Sequence, residues 1–193
     1  IGVFEMEDGG LCEVPNPSET LLAGRPMDAP GTCVTCVMEG VRPVLAEIQA
    51  LVVPSSLGNP RRVSNGFEYN RTMLLLAVLE KRGGLLLGNC DSYLNVIGGL
   101  TLDEPAADLA VVLAMASSFR DRPVPHDLAA IGEVGLTGEL RAVSALGQRL
   151  SEVQRLGFTK CLIPKRVQGK LIAPEGLELI RVSSIREALA TLL

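Results

Sequence analysis

The chain is organised around residues 94–118, LNVIGGLTLDEPAADLAVVLAMASS. An apolar run from Tyr93 to Ile97 is typical of a buried strand, and it ends at two glycines. Pro105 then suits the first turn of a helix, because its missing N–H group has no helical partner there. The helix is predicted from Ala106 to about Phe119 and is apolar on every face except at Asp108. We therefore expect it to lie in the interior of the protein.

The composition indicates one densely packed domain. The chain has 193 residues, of which 47% are hydrophobic, and its mean hydropathy is +0.31. Its apolar runs are far shorter than the roughly 18 residues needed to span a bilayer, so we expect no membrane partner. The start of the sequence has no secretory signal, which favours the cytoplasm. It begins with Ile1, which suggests a fragment of a longer protein.

Charge and aromatic content restrict how the chain can contact nucleic acid. The net charge is −4 and the sequence pI is ≈ 5.1, which argues against a protein that coats nucleic acid by bulk charge. Aromatic residues make up 3% and tryptophan is absent, which argues against a platform for stacked bases. The 18 Lys and Arg residues need not be spread evenly, so a local basic patch is compatible with the composition.

The cysteine pattern supplies at most half of the ligands of a metal site. There are 5 cysteines, an odd number that favours reduced thiols in the absence of a secretory signal. Cys33 and Cys36 form a C-x-x-C pair in a β-type run, where residues three apart point to opposite faces. The sequence has no second C-x-x-C, and His126 is its one histidine. We therefore predict buried structural thiols, with no metal and no cofactor in this chain.

Two segments resemble the catalytic elements of Lon-type proteases. Residues 102–110, LDEPAADLA, resemble the motif DGPSAG, in which a nucleophilic serine follows the proline; Ala106 takes the place of that serine and Asp108 that of a glycine. Residues 132–150, GEVGLTGELRAVSALGQRL, resemble the block that carries the catalytic lysine. Gly147 falls at the lysine and Gly135 at a threonine near the site. Because a Ser–Lys dyad needs both the hydroxyl and the amine, the resemblance implies a pseudo-protease without catalytic residues.

Further strings, spread over nearly all 193 residues, are similar to the Lon-like C-terminal domains of the RadA (Sms) family of bacterial DNA-repair and recombination ATPases. They are NPSE (16–19), MEGVRP (38–43), EIQALV (47–52), NPRR (59–62), NR (70–71) and LEKR (79–82). The resemblance implies a single α/β domain over residues 1–193, of the Lon proteolytic type, which is similar to the second domain of ribosomal protein S5.

The same resemblance implies the partners of a longer protein. A zinc-finger segment and a RecA-like ATPase would precede this domain, and residues 1–24 would form a strand and a short helix that continue from the ATPase. ATP, Mg and Zn are then expected only in those upstream domains, since this chain has neither GxxxxGK[ST] nor GxGxxG. The family implies a homohexameric ring, a DNA motor that works with a RecA-type recombinase, and a bacterial cytoplasmic location.

Five basic residues are candidates for sequence-independent contacts with single-stranded or branched DNA. Arg61 and Arg62 stand in a predicted loop over residues 55–66, and a predicted helix over residues 69–82 carries Arg71, Lys81 and Arg82. Residues 71 and 82 are eleven apart, about three helical turns, so we expect them to share a face. Such side chains could hold phosphates without reading bases. The alternatives are salt bridges between subunits and plain solvation.

Weaker candidates for DNA contact are Arg149 and the pair Lys165 and Arg166. Asp108 is a carboxylate on an apolar helix, which is costly unless it is paired. We expect it either to accept local N–H groups or pair with an arginine, or to form a salt bridge between subunits.

The hypothesis from sequence is an inactive Lon-like domain that oligomerises and contributes DNA binding in repair and recombination. One alternative is a residual serine peptidase, which would have to use Ser117, Ser118 or His126. The two serines lie about three turns, or roughly 16–18 Å, along the helix from Ala106. The other alternative is an assembly-only scaffold without DNA contact.

Overall fold

The fold is taken from a computed structural model, which describes residues 4–7, 9–13, 17–56 and 58–193. In these residues the strands are β1 (Phe4–Glu7), β2 (Gly10–Glu13), β3 (Thr32–Glu39), β4 (Arg42–Pro54), β5 (Arg62–Asn65), β6 (Cys90–Val96), β7 (Leu128–Ala130), β8 (Glu133–Val134), β9 (Leu140–Arg141), β10 (Lys160–Pro164) and β11 (Glu178–Val182). The helices of the same residues are α1 (Pro17–Leu22), α2 (Tyr69–Val78), α3 (Asp108–Arg120), α4 (Leu146–Arg155) and α5 (Ile185–Leu192).

A seven-stranded mixed sheet forms the centre, in the order β11-β10-β7-β3-β4-β6-β5. One half is an antiparallel arrangement of β3, β4 and β6, and β5 joins it in parallel at the edge. In the other half β7, β10 and β11 run parallel, so their carboxyl ends lie at the same edge of the sheet. The hairpin β8–β9 and the hairpin β1–β2 form separate two-stranded sheets. The predicted α/β class is confirmed.

Helices cover both faces of the sheet and create two apolar cores. On one face α3 packs against β4, where even-numbered residues such as Ile48 are buried, and α2 and α5 pack against α3. On the other face α4 packs against β3 and β4, where Leu45 is buried. Cys33 belongs to the first core and Cys36 to the second, which confirms that they point to opposite faces. Burial raises the pKa of each of these two thiols to about 12, so both are protonated at neutral pH.

The central helix α3 lies in the interior, as predicted. A 3-10 turn, Pro105–Ala107, precedes it, and every residue from Asp108 to Ser117 is buried. Burying roughly ten consecutive positions requires apolar side chains on all sides of a helix, which is the pattern of this segment. The helix ends at Asp121, whose backbone is left-handed with φ 51°. None of the helices in the described residues is long and apolar enough to cross a membrane.

Two elements differ from the sequence prediction. The predicted loop over residues 55–66 contains the edge strand β5, which begins at Arg62. The predicted helix over residues 69–82 is α-helical only as far as Val78 and continues as a π-turn, Leu79–Gly83, that ends at left-handed Gly84. Both departures are local irregularities at the margin of the sheet, where side-chain periodicity is short and weak.

The N-terminal hairpin β1–β2 is not part of the central sheet, whereas α1 packs against that sheet. β1 pairs only with β2 among the described residues, and α1 packs against β4. Buried Ser18 in α1 accepts a hydrogen bond from Leu45 N–H at 3.0 Å and donates one to Glu152 at 2.8 Å. The origin of residues 1–24 in an upstream ATPase stays a prediction.

Candidate functional site

Ala106, which the resemblance predicts at the position of the Lon nucleophile, makes apolar contacts. Ala106 lies in the turn before α3, is 3% exposed and belongs to the same apolar core as Val143 and Leu146. Its carbonyl oxygen accepts a hydrogen bond from Gly132 N–H at 2.9 Å. The methyl group therefore contributes packing and has no atom that can attack a carbonyl.

The two other positions that the resemblance predicts to be degenerate differ in the side chains that they would tolerate. Gly147 lies in the first turn of α4, beside an open cleft of ≈ 480 Å³, and a β-carbon there would meet nothing within 4 Å. At Gly135 a β-carbon would collide with the carboxyl group of Glu139, with a nearest oxygen at 2.0 Å. A threonine at 135 would therefore require the partly exposed Glu139 side chain to move from its present position.

Asp108 pairs with Arg71 inside the chain. Arg71 Nε donates to Asp108 Oδ1 at 3.0 Å, and Nη2 donates both to Oδ2 and to the carbonyl oxygen of Val134, the latter at 2.9 Å. Val134 N–H donates to Oδ2 of Asp108 at 3.0 Å. The Asp108 side chain is fully buried, whereas that of Arg71 is 28% exposed. This is the pairing within one subunit that the sequence left as one of two alternatives.

The pKa values show what this pair does. Burial raises the pKa of Asp108, because the cost of removing the carboxylate from water exceeds the stabilisation it receives from Arg71 and Val134 N–H. The hydrogen bond to Asp108 raises the pKa of Arg71, which is positively charged at any ordinary pH. The pair therefore joins α2, α3 and β8 through charged hydrogen bonds.

A second arginine, Arg149, binds Glu104, the carboxylate on the N-terminal side of Ala106. Arg149 in α4 is 1% exposed, and its guanidinium binds both carboxylate oxygens of Glu104, with Nη2 to Oε2 at 2.7 Å. It also donates to the carbonyl oxygens of Cys36 at 2.6 Å and Ser144 at 2.9 Å. Glu104 Oε1 accepts a further hydrogen bond from Met38 N–H at 2.7 Å. Arg149 thus joins α4, β3 and the turn that begins α3.

Sequence reasoning placed Arg149 among weak DNA candidates and missed this role. The sequence did contain a signal for this role. Arg149 stands among Leu146, Leu150 and Val153, which have helical spacing and are all buried. A charged residue inside an apolar stripe calls for a buried carboxylate partner. The partner, Glu104, lies 45 residues earlier, where no local pattern points to it.

The five DNA candidates lie in different surroundings. Arg61 is exposed; its backbone N–H donates to Asp91 Oδ1 at 2.8 Å, and its carbonyl oxygen accepts a hydrogen bond from Ser92 N–H at 2.9 Å. Arg62 donates to the carbonyl oxygens of Cys90 and Leu87, the latter at 3.0 Å, so its guanidinium ties β5 to the segment before β6. Arg71 is engaged with Asp108. These contacts leave Arg61 as the exposed cation of the first loop.

Lys81 and Arg82 are exposed on the π-turn after α2. Arg82 packs against the turn of the β8–β9 hairpin: a β-carbon at Gly138 would lie 3.0 Å from Arg82 Cβ. Arg71 contacts Val134 in the same hairpin. Arg71 and Arg82 thus both reach this hairpin, although the π-turn changes the helical phase between them.

The residues considered for a residual peptidase brace the backbone. Ser117 is buried, accepts a hydrogen bond from Gly31 N–H at 2.9 Å and donates to the carbonyl oxygen of Arg122. Ser118 accepts from Val52 N–H at 2.9 Å. His126 is half exposed, with Nδ1 3.8 Å from a carboxylate oxygen of Asp28. The structure therefore places His126 beside Asp28 and both serine hydroxyls on backbone groups.

Comparison with known proteins adds two findings. Residues 93–193 match the family of the Lon protease (S16) C-terminal proteolytic domain. The DNA repair protein RadA of Bacillus subtilis (strain 168) is 53% identical over 191 residues, which are 99% of this chain and 42% of that protein. The RadA of Streptococcus pneumoniae (strain ATCC BAA-255 / R6) is 49% identical over 189 residues, 98% of this chain and 45% of that protein. The chain thus spans less than half the length of these relatives.

Proposed function

The chain belongs to the family of the Lon protease C-terminal proteolytic domain, in the form that RadA-type DNA repair proteins carry, and from this premise we propose that it is a catalytically inactive domain that oligomerises and binds DNA without sequence preference. The names of its relatives support a role in DNA repair rather than proteolysis. We propose that it also has a role in recombination.

The observation that carries the inactive assignment is the pair of arginine–carboxylate contacts around Ala106. Glu104 pairs with Arg149 and Asp108 pairs with Arg71, so each carboxylate beside Ala106 is bound to an arginine. A catalytic site needs a nucleophile beside an activating base. Here the nucleophile position is a buried methyl group, and the lysine position is Gly147.

A serine-reactive fluorophosphonate probe tests the residual peptidase. We expect no labelling of this chain under conditions in which an active serine protease in the same mixture is labelled fully. The physical reason is that the Ser117 and Ser118 hydroxyls are engaged with backbone groups and have no activating base among the described residues. Labelling that disappears in Ser117→Ala or Ser118→Ala would contradict the proposal and favour the peptidase.

The DNA-binding part is supported by the exposed cations Arg61, Lys81 and Arg82. Arg61 adjoins Arg62, which donates to the carbonyl oxygens of Leu87 and Cys90, and Lys81 and Arg82 lie on the π-turn that precedes this segment in the chain. Cations grouped on one surface bind phosphates, and the absence of tryptophan leaves recognition to the backbone rather than the bases.

Fluorescence anisotropy with a single-stranded oligonucleotide tests this part at about 50 and 200 mM salt. We expect the variant Arg61→Ala/Lys81→Ala/Arg82→Ala to bind more weakly and to lose about 2 units of the logarithmic salt slope, since each phosphate contact contributes about 0.7. The variant keeps the native Arg62 and Arg71, because their guanidinium groups have partners inside the fold. Lys170→Ala, an exposed cation elsewhere, is the control.

The mass of the same sample, measured by sedimentation, tests oligomerisation. An uncharged patch on the outer side of β4, β6 and β5 supports contact with a second copy, since interface centres are depleted in charge. Its two cross-strand rows are Leu51–Tyr93–Val63 and Gln49–Asn95–Asn65. Hexamers that bind no DNA at low salt would favour the assembly-only scaffold.

The remaining partners belong to the longer protein of the proposal. We assign ATP, Mg and Zn binding, and contact with a RecA-type recombinase, to segments beyond this chain, which covers 42% of its Bacillus subtilis relative. A bacterial cytoplasmic location is part of the same proposal.

A further inference from the structure

A cleft of ≈ 520 Å³ is lined by helix α1, the loop that follows it, the end of α4 and the turn before β7. These segments are distant in the chain, and folding brings them together. The volume lies within the range of about 300–1,000 Å³ that is usual for ligand sites. The surfaces proposed above for DNA and for a second copy include no residue of this cleft.

The apolar part of the lining comes from four side chains. Phe158 is buried, and Leu22 and Leu156 are partly buried and pack against the same apolar core. Met27 is 68% exposed, and a methionine side chain is flexible enough to adapt to a bound group. The cleft therefore offers a ligand an apolar surface that is partly fixed and partly adjustable.

Arg25 lies in this lining and is fixed by two contacts. Its Nη2 donates to the carbonyl oxygen of His126 at 2.5 Å, and its guanidinium carbon lies 5.3 Å from the centroid of the Phe158 ring, which is a cation–π contact. Its Nε is buried and has no hydrogen-bond partner among the described residues. A buried donor without an acceptor costs free energy, so an acceptor that reaches Nε would remove that cost.

The other charged side chains of the cleft act on each other. Arg155 binds Glu152, with Nη2 to Oε1 at 2.7 Å, and the negative charge of Glu19 acts on Arg155. Arg25, in contrast, forms no ion pair within the part of the chain that the structure describes. Its guanidinium is therefore the charge of the cleft that an anionic ligand can neutralise.

We propose that this cleft binds a carboxylate that carries an apolar group, either a free short-chain acid or the C-terminal residue of a peptide. The carboxylate binds Arg25, and the apolar group packs against Leu22, Met27 and Leu156. A guanidinium matches a carboxylate in charge and in its planar arrangement of donors. The site lies outside the proposed DNA-binding surface, and its function does not depend on DNA.

The lining favours a monocarboxylate over a phosphate or a nucleotide. One arginine without an ion pair can neutralise one negative charge, and the carboxylate of Glu19 in the same lining repels a ligand with more. The Phe158 ring is 6% exposed and is covered by Arg25, so it offers no face on which a nucleobase could stack. The apolar side chains leave the carbon skeleton as the part of the ligand that determines selectivity.

The test follows the backbone amide signals of the 193-residue chain by nuclear magnetic resonance during titration with N-acetyl-L-leucine or N-acetyl-L-leucinamide. The two probes share the apolar side chain and differ in the carboxylate. We expect the acid to bind in the millimolar range and at least about fivefold more tightly than the amide, because a charge-assisted hydrogen bond is stronger than a neutral one. The largest shifts are expected at Arg25, Gly157 and Phe158.

The variant Arg25→Met removes the guanidinium and keeps an aliphatic chain beside Phe158. We expect its affinity for the acid to fall to that for the amide, while the affinity for the amide changes less than about twofold. The control Arg120→Met removes the same charge from an exposed residue outside the cleft and should keep the preference for the acid. Thermal unfolding of both variants checks that the fold is kept.

Several results would overturn the carboxylate site. Wild type could bind neither probe, could bind both equally, or could show shifts only at residues outside the cleft. A preference for the acid that survives in Arg25→Met, or that is lost equally in Arg120→Met, would have the same consequence, because the arginine of the cleft would then not be its cause.

The tripeptide N-acetyl-Ala-Ala-Leu distinguishes the two sources of the carboxylate. Tighter binding than that of N-acetyl-L-leucine would support the C-terminus of a peptide, and weaker binding would support a free acid. These titrations contain no DNA, so their failure leaves the DNA-binding proposal to the anisotropy measurement.

Discussion

Replacing Arg149 with methionine is expected to lower the free energy of unfolding by about 3–5 kcal/mol, the range for breaking a buried ion pair by removal of one partner. Methionine keeps most of the aliphatic volume but leaves the Glu104 carboxylate and the carbonyl oxygens of Cys36 and Ser144 without their donor. Glu104 is 27% exposed, so water can reach part of it, whereas the Arg149 side chain is 1% exposed. Urea denaturation followed by circular dichroism measures the change.

The matched control lies on the same helix. Arg155 also pairs with a carboxylate, Glu152, but it is 49% exposed. Exposed ion pairs contribute at most about 1 kcal/mol, so Arg155→Met should change stability little. If Arg149→Met were as mild as Arg155→Met, the buried network would not be stabilising α4 against β3 and the turn before α3.

Replacing Arg71 with leucine is expected to destabilise the protein by about 3–5 kcal/mol at pH 7 and by much less near pH 4. The Asp108 carboxylate is fully buried and would lose the guanidinium that neutralises it. Its pKa is already raised from the ordinary 3.8 by burial, and loss of Arg71 raises it further. The folded state then binds the proton more tightly than the unfolded state. The penalty is therefore absent below about pH 3.8, where Asp108 is protonated in both states, grows as pH rises towards the raised pKa of the folded state, and is constant above that pKa.

The double variant Arg71→Leu/Asp108→Leu separates charge from packing. Because it removes both charges, we expect it to recover about half or more of the loss and to lose the pH dependence. The Val134 N–H and carbonyl groups would still lack their partners, so recovery should be incomplete. A single variant with the same stability deficit at pH 4 and pH 7 would contradict the assignment of the deficit to an ionised Asp108.

Together these two ion pairs describe the surroundings of Ala106. In a protease the groups around the nucleophile must remain available to substrate, whereas here Glu104 and Asp108 are bound to arginines from α4 and α2. Restoring Ala106→Ser and Gly147→Lys would leave the Glu139 carboxylate beside Gly135, where the resemblance implies a threonine. Proteins commonly trade activity against stability at such sites.

Much of the fold could be predicted because its signals are local. The apolar pattern of residues 94–118 places α3 in the interior, since a helix without a polar face has to be buried on all sides. The alternation of β3 sends Cys33 and Cys36 to opposite faces. The edge strand β5 was missed, because four residues beside glycine and proline carry too short a pattern and their order comes from pairing with β6.

The sequence by itself determined the α/β class and the buried central helix, because residue types and short-range periodicity carry both features. It also places alanine at 106 and glycine at 147, where the resemblance implies the Lon nucleophile and lysine. Only the tertiary structure decided which charged side chains pair with each other. Asp108 meets Arg71 across 37 residues and Arg149 meets Glu104 across 45. Ion pairs depend on distances of a few ångströms between elements that folding brings together, and chain separation does not encode such distances. The same reason made Arg62 and Arg71 look like DNA contacts in the sequence, whereas folding engages both within the protein.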